Sequence, residues 1–120
     1  MKKTIKLKLD NKEYTATLKD NSTVDDILKM LPLELPLQRF AGHEYYYTLP
    51  QKPSINGVPV TSEAHAGGIY YYDRWTAFTV VFRDASIDPY KVIHLGNVNE
   101  DITSLVFAEN IIEAKFETIL

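Results

Sequence analysis

Six of the chain's eight tyrosines stand in two triplets, Tyr45-Tyr46-Tyr47 and Tyr70-Tyr71-Tyr72, and the second runs into Asp73-Arg74-Trp75. Phenol rings beside an indole and a guanidinium offer stacking faces, hydroxyls and a fixed cation, which is the chemistry of recognition rather than of bond cleavage. Successive side chains on a strand point to opposite faces, so Tyr45 and Tyr47 oppose Tyr46, and Tyr70 and Tyr72 oppose Tyr71. Each triplet can then put one face into a core and offer the other to a partner. The expected ligand-binding surface comprises Tyr45, Tyr47, Tyr70, Tyr72, Arg74 and Trp75, and its expected guest is an extended peptide or a small ring-bearing molecule. A homodimer using the same rings is the competing expectation.

Other chemistries lack their residues. The chain has no cysteine, which removes disulfides, thiolate zinc sites and cysteine nucleophiles. The three histidines, His43, His65 and His94, show no metal-ligand spacing, although His43-Glu44 and Glu63-x-His65 could meet through folding. Neither a metal nor a cofactor is expected. Gly67-Gly68 precedes an apolar, strand-like run rather than a helix, so it reads as a tight turn or close backbone approach and not as a phosphate cradle. Gly96, inside another such run, reads as a bulge or a barrel corner.

A length of 120 residues with 45% hydrophobic content suits one domain spanning 1–120 with its own core. Charge is uneven: residues 1–19 hold six lysines against Asp10 and Glu13, whereas residues 20–120 hold seven basic and fourteen acidic groups. Both tyrosine triplets therefore lie in the acidic part. Nucleic-acid binders place Lys and Arg around their aromatics, so no nucleic-acid partner is expected, and the early lysines read as a solvated strand face that discourages edge pairing. No apolar run approaches the roughly 18 residues of a membrane span, and 5–10 alternates apolar with charged residues, so the expectation is a cytoplasmic protein without a membrane partner.

The elements that must carry these residues are short. Ile5, Leu7 and Leu9 alternate with lysines, Asp10-Asn11 offers a turn, and Tyr14, Ala16 and Leu18 alternate with threonines, which predicts a hairpin with one buried face. Ser22 with Asp25 predicts a helix start, Val24, Ile27, Leu28 and Leu31 its buried side, and Pro32 its stop. Period-two patterns predict further strands at 31–37, 42–48, 69–72, 77–83, 91–95 and 111–118, with a short one at Val58 and Val60. Asn99 is expected to cap a second short helix carrying Ile102, Leu105 and Val106. Many short strands and two short helices predict a mainly β domain, and a closed antiparallel barrel disposes of its edges best.

Gly42-His43-Glu44-Tyr45, Gly68-Ile69-Tyr70-Tyr71, the stretch 75–82 and Ile93-His94-Leu95-Gly96-Asn97-Val98, in this order, resemble the small bacterial cyclophilin-like domain family. The likeness runs from about Thr4 to Ile119. It implies a cyclophilin-like antiparallel β-barrel, a family shape without one agreed activity. Two departures stand out: Gly68 passes directly to Ile69, without the acidic residue that members often carry there, and the Phe-His-Arg run of true cyclophilins is missing. No catalytic residue is carried over.

The resemblance raises prolyl isomerisation as the alternative function. That reaction needs no nucleophile: a donor to the imide nitrogen and an apolar pocket for the ring lower a barrier of about 18–20 kcal/mol. Arg74 and Arg39 lie beside aromatic residues and are the two candidate donors, with Phe40, Trp75 and Phe78 as pocket walls.

Overall fold

A computed structural model describes residues 3–119. Its first hairpin, β1 (Lys3–Leu9) and β2 (Lys12–Leu18), turns through Asp10 at φ 50° and Asn11 at φ 70°. Both lie in the left-handed region, the geometry that matches strand twist in a two-residue turn and that Asp and Asn tolerate. The helix α1 (Ser22–Leu28) follows, one residue earlier in its capping than the sequence suggests: Asn21, not Ser22, accepts from Val24 N at 2.9 Å. Val24 and Ile27 turn into the core, and Lys3 ties α1 to β1 through Asp20 and Asp25.

The remaining strands are β3 (Leu33–Phe40), β4 (Glu44–Thr48), β5 (Glu63–Ala64), β6 (Gly68–Tyr72), β7 (Ala77–Val81), β8 (Ala85–Ser86), β9 (Ile93–Val98) and β10 (Ile111–Thr118). Eight of the ten described strands close an antiparallel barrel in the order β1-β10-β3-β4-β7-β6-β9-β2, with β2 returning to β1. Closure leaves β1 flanked on both sides, so Lys6 and Lys8 solvate a wall and protect no edge. β3 pairs with β4 only from Gln38 to Phe40; Pro36, which has no N–H to donate, lies where β3 is paired to β10 alone.

Inward residues follow the strand parity and fill the lumen. Leu7, Leu9, Leu37, Ile69, Tyr71 and Val80 are fully enclosed, and the void left among the apolar side chains is about 10 Å³, room for no ligand. β9 carries the irregularity expected at Gly96: Ile69 faces Gly96 and Tyr70 faces His94, so Leu95 is the extra residue. A Cβ on Gly96 would come within 2.3 Å of Thr17 O, so the close approach of β2 at this point requires glycine.

Two sequence expectations are corrected. Val58 and Val60 form no strand; the short pairing in that connection is β5 with β8, one strand contributed from each of two loops. Asn99 caps nothing: its side chain bridges Thr15 and Thr17 of β2. The second helix is a 3-10 turn, Thr103–Phe107, whose leading N–H at Thr103 is held by Asp101 Oδ1 at 2.8 Å. No helix among the described residues is long and apolar enough to cross a membrane.

Candidate functional site

The outward parity of β3, β4, β7 and β6 assembles one continuous patch. Gln38 faces Tyr46, Phe40 faces Glu44, Thr48 faces Ala77, Tyr46 and Tyr70 face Thr79, and Tyr72 faces Ala77. Such a patch would ordinarily be solvated. Here the segments around β5 and β8 fold back across it, joined by the β5–β8 pairing, the Thr61–Val92 bridge and Ile87 N donating to Ser62 O at 2.8 Å. Ala64, Ile87 and Val92 of this cover bury Tyr70, Tyr72, Ala77 and Val81 in a second small core outside the barrel.

The cover stops short of β3. Between its rim and the hairpin β3–β4 a cleft of about 500 Å³ remains, walled by Phe40, Tyr46, Tyr72, Trp75 and Tyr90. Two turns shape it. The β3–β4 turn passes through Ala41 and Gly42, both at positive φ, and delivers His43 and Glu44 to one end. A 3-10 turn, Asp73–Trp75, ends at Thr76 with φ 51° and lays Trp75 against Tyr72, ring centroids 5.6 Å apart, and against Tyr90 at 5.2 Å. Asp73 anchors that turn by accepting from the Tyr71 hydroxyl at 3.2 Å, while Lys52 donates to its carbonyl at 3.0 Å. Burial first, then the Asp73 carboxylate, pushes the Tyr71 phenol up to about 12.

Glu44 is the polar centre of the cleft. It is 3% exposed, a rare state for a carboxylate, and it lines the cleft from β4. His43 Nε2 lies 2.7 Å from Oε1 but out of line for a straight hydrogen bond, and the Tyr72 hydroxyl donates to the same oxygen at 3.4 Å. Oε2 receives no donor among the described residues. Burial raises the Glu44 carboxyl above its usual value, against the opposing pull of His43 and Tyr72. Burial and the Glu44 charge together raise the Tyr72 phenol well beyond its ordinary value. One step away on β7, Thr79 Oγ1 is buried without a hydrogen-bond partner among the described residues.

The six residues expected to form one ligand surface divide. Tyr72 and Trp75 meet in the cleft, and Arg74 lies over the Trp75 and Tyr90 rings at 5.2 and 5.7 Å. Tyr45 is instead inside the barrel, fully buried, its hydroxyl donating to Glu109 O at 2.6 Å; Tyr47 packs half-buried against the same core. Tyr70 is sealed under the cover, where its hydroxyl accepts from His65 N at 2.9 Å. Strand parity sends Tyr45 and Tyr47 inward together, and the cover removes Tyr70 from solvent.

Arg39 is engaged within the chain. Its Nη2 is within 2.6–3.1 Å of Tyr45 Oη and of the Leu105, Val106 and Ala108 carbonyls, and its guanidinium covers the Tyr45 and Phe82 rings. It clamps the Thr103–Phe107 turn to the barrel. Phe78, one of the expected pocket walls, is an interior residue packed edge-to-face against Phe116.

Sequence reasoning missed Tyr46, Tyr90 and the Glu44–His43 pair as parts of one site. A signal for Glu44 existed: it shares parity with Tyr46 and Thr48 on a strand otherwise built of aromatics. His43 was visible only as a metal-ligand fragment, and in the structure it contacts Glu44 while His65 approaches Asp84 at 3.9 Å.

The sequence profile of the Cyclophilin-like family matches residues 7–117. A hypothetical protein from Archaeoglobus fulgidus, known from its solution structure, has a similar fold: the TM-score is 0.69 at 14% identity, over 98% of this chain and 95% of that one. No curated protein matches the chain.

Proposed function

The chain belongs to the cyclophilin-like family, and we propose that it serves as a binding barrel, taking an extended peptide or a small ring-bearing ligand into the aromatic cleft on its outer wall. One observation carries this reading: about 500 Å³ of concave space, walled by five aromatic rings and centred on buried Glu44 with His43 and Tyr72 beside it. That volume falls in the range of small-ligand sites, which join mostly apolar walls to a few convergent polar groups. The filled lumen supports an outer rather than an inner site.

Trp75 is the only tryptophan and is 48% exposed, so its fluorescence reports occupancy directly. Titration with a panel of proline-containing and aromatic tetrapeptides should quench or shift that emission in a saturable way. Amide resonance changes should concentrate at 43–48 and 72–77. Changes gathered elsewhere on the barrel, or none with any peptide, would overturn the reading. A dimer by size-exclusion mass whose dissociation exposes Trp75 would replace ligand capture by self-association.

Prolyl isomerisation is the second reading, favoured by the single placement of Arg74 over the Trp75 ring at the cleft rim. In it, the guanidinium donates a hydrogen bond to the imide nitrogen while the rings hold the proline. It expects turnover of a proline test peptide that Arg74→Ala abolishes and Arg39→Met leaves in proportion to folded protein; absence of turnover in the native chain removes it.

A further inference from the structure

We propose that the guest of this cleft presents an organic cation, an ammonium or guanidinium group seated between the faces of Tyr46, Tyr72 and Trp75 with Glu44 as its counter-charge. The proposal rests on the reading of the cleft as a ligand site and names the chemistry that site selects.

Four observations converge. The walls are aromatic rings, whose faces carry negative quadrupoles that attract cations within about 6 Å of a ring centroid. The polar centre is a carboxylate that the fold has withdrawn from water, with both protein contacts directed at Oε1 and Oε2 left as an acceptor. A carboxylate offers about four lone-pair sites, so a further donor can be accommodated. No lysine or arginine stands among the cleft-lining residues.

The rings also hold a cation from outside. Arg74 rests on Trp75 and Tyr90, the same pair that closes one side of the cleft. The affinity of these faces for a guanidinium is therefore visible within the chain, and residues 20–120, with fourteen acidic against seven basic groups, add a field of the same preference.

The arrangement makes opposite demands on Arg74 in the two readings of the site. An isomerase needs its positive charge. A cation site is weakened by it, since Arg74 repels the guest and draws on the same rings.

The experiment is a titration of the intact protein with n-butylammonium and with its neutral counterpart n-butanol, at matched ionic strength, followed by amide and indole resonances and by calorimetry. The expected result is saturable cleft binding of butylammonium at least tenfold tighter than butanol. Glu44→Gln, nearly isosteric, should weaken the ammonium by tenfold or more and so remove most of its advantage over butanol. Trp75→Leu, at a half-exposed position, keeps apolar bulk, removes the π face and should weaken the ammonium severalfold. Arg74→Ala should tighten it severalfold.

Equal binding of alcohol and ammonium, or an Arg74→Ala variant that weakens the ammonium, overturns the proposal. If neutral aromatic peptides occupy the cleft and butylammonium does not, the cation inference fails while the binding barrel stands; if no probe of either kind enters, both fall. Blocked N-acetyl-lysine methylamide separates the sources: tighter binding than butylammonium assigns a basic peptide side chain, weaker binding a free amine.

Discussion

Tyr71 and Tyr72 are adjacent on one strand, β6, yet one belongs to the inside of the barrel and the other to the small core outside it. Inside, the void is about 10 Å³, and the polar atoms of Tyr45 and Tyr71 meet defined partners in Glu109, Arg39 and Asp73. Outside, the cover leaves about 500 Å³, and among the described residues Thr79 Oγ1 has no partner and one Glu44 oxygen is unengaged. The difference teaches where a guest can be accommodated. A region whose volume and hydrogen-bonding capacity are both filled specifies shape, whereas one with unfilled capacity can recognise a ligand.

The sharpest way to break this comparison is to truncate across it. Tyr71→Ala removes a fully buried ring and the partner of Asp73, and should lower unfolding stability by about 3–5 kcal/mol in denaturant titrations. A loss under 1 kcal/mol would mean that the interior is not the structural half.

Gly68→Ala probes the seal between the halves. Its Cβ would stand 2.4 Å from the Tyr70 ring, which is held by His65 N and by stacking on His94, so the ring cannot yield cheaply. Overpacking of this kind should cost about 1–3 kcal/mol, with faster amide exchange around 61–65 and 85–92 as the cover loosens. Exchange accelerated evenly over the whole barrel would contradict a separable cover.

Glu44 sharpens the comparison through pH. Burial lifts its folded-state value above the unfolded one of about 4.3, so the folded chain holds the proton more firmly than the unfolded chain does. Stability from this group is thus complete below the unfolded value and is lost as pH rises through the folded one. Unfolding free energies measured from pH 4 upward should fall more steeply in the native chain than in Glu44→Gln. Parallel curves would show that the carboxylate is not desolvated.

The smallest effect belongs to the rim. Trp75→Leu alters a half-exposed ring in contact with Tyr72 and Tyr90 and should change stability by no more than about 1 kcal/mol, while abolishing ring-dependent ligand signals. A larger loss would move Trp75 from the recognising half to the structural one.

Much of the wall was legible because strand alternation is local. The first hairpin, the last strand and the opposed faces of both tyrosine triplets follow from parity alone. Parity says which residues share a face but not what covers that face. The cover depends on β5 with β8, two-residue strands too short to leave a pattern, and its apolar contacts come from scattered Ala64, Ile87 and Val92. Tyr70 therefore read as open and is sealed. The cleft was legible in Tyr72, Trp75 and Arg74, which sit together in sequence; Glu44, Phe40 and Tyr90 reach it from separate elements and could be joined to it only by the fold. Asn99 shows the same limit at one residue, since a good capping side chain found better partners on β2.

The strand written last, β10, lies between β1 and β3, two of the earliest. During translation, a nascent chain still short of residues 111–118 carries β1 and β3 with the edges that β10 will join still bare. The wall can seal only after that segment has cleared the ribosome, and until then those edges are open to chaperones or to a neighbouring polypeptide.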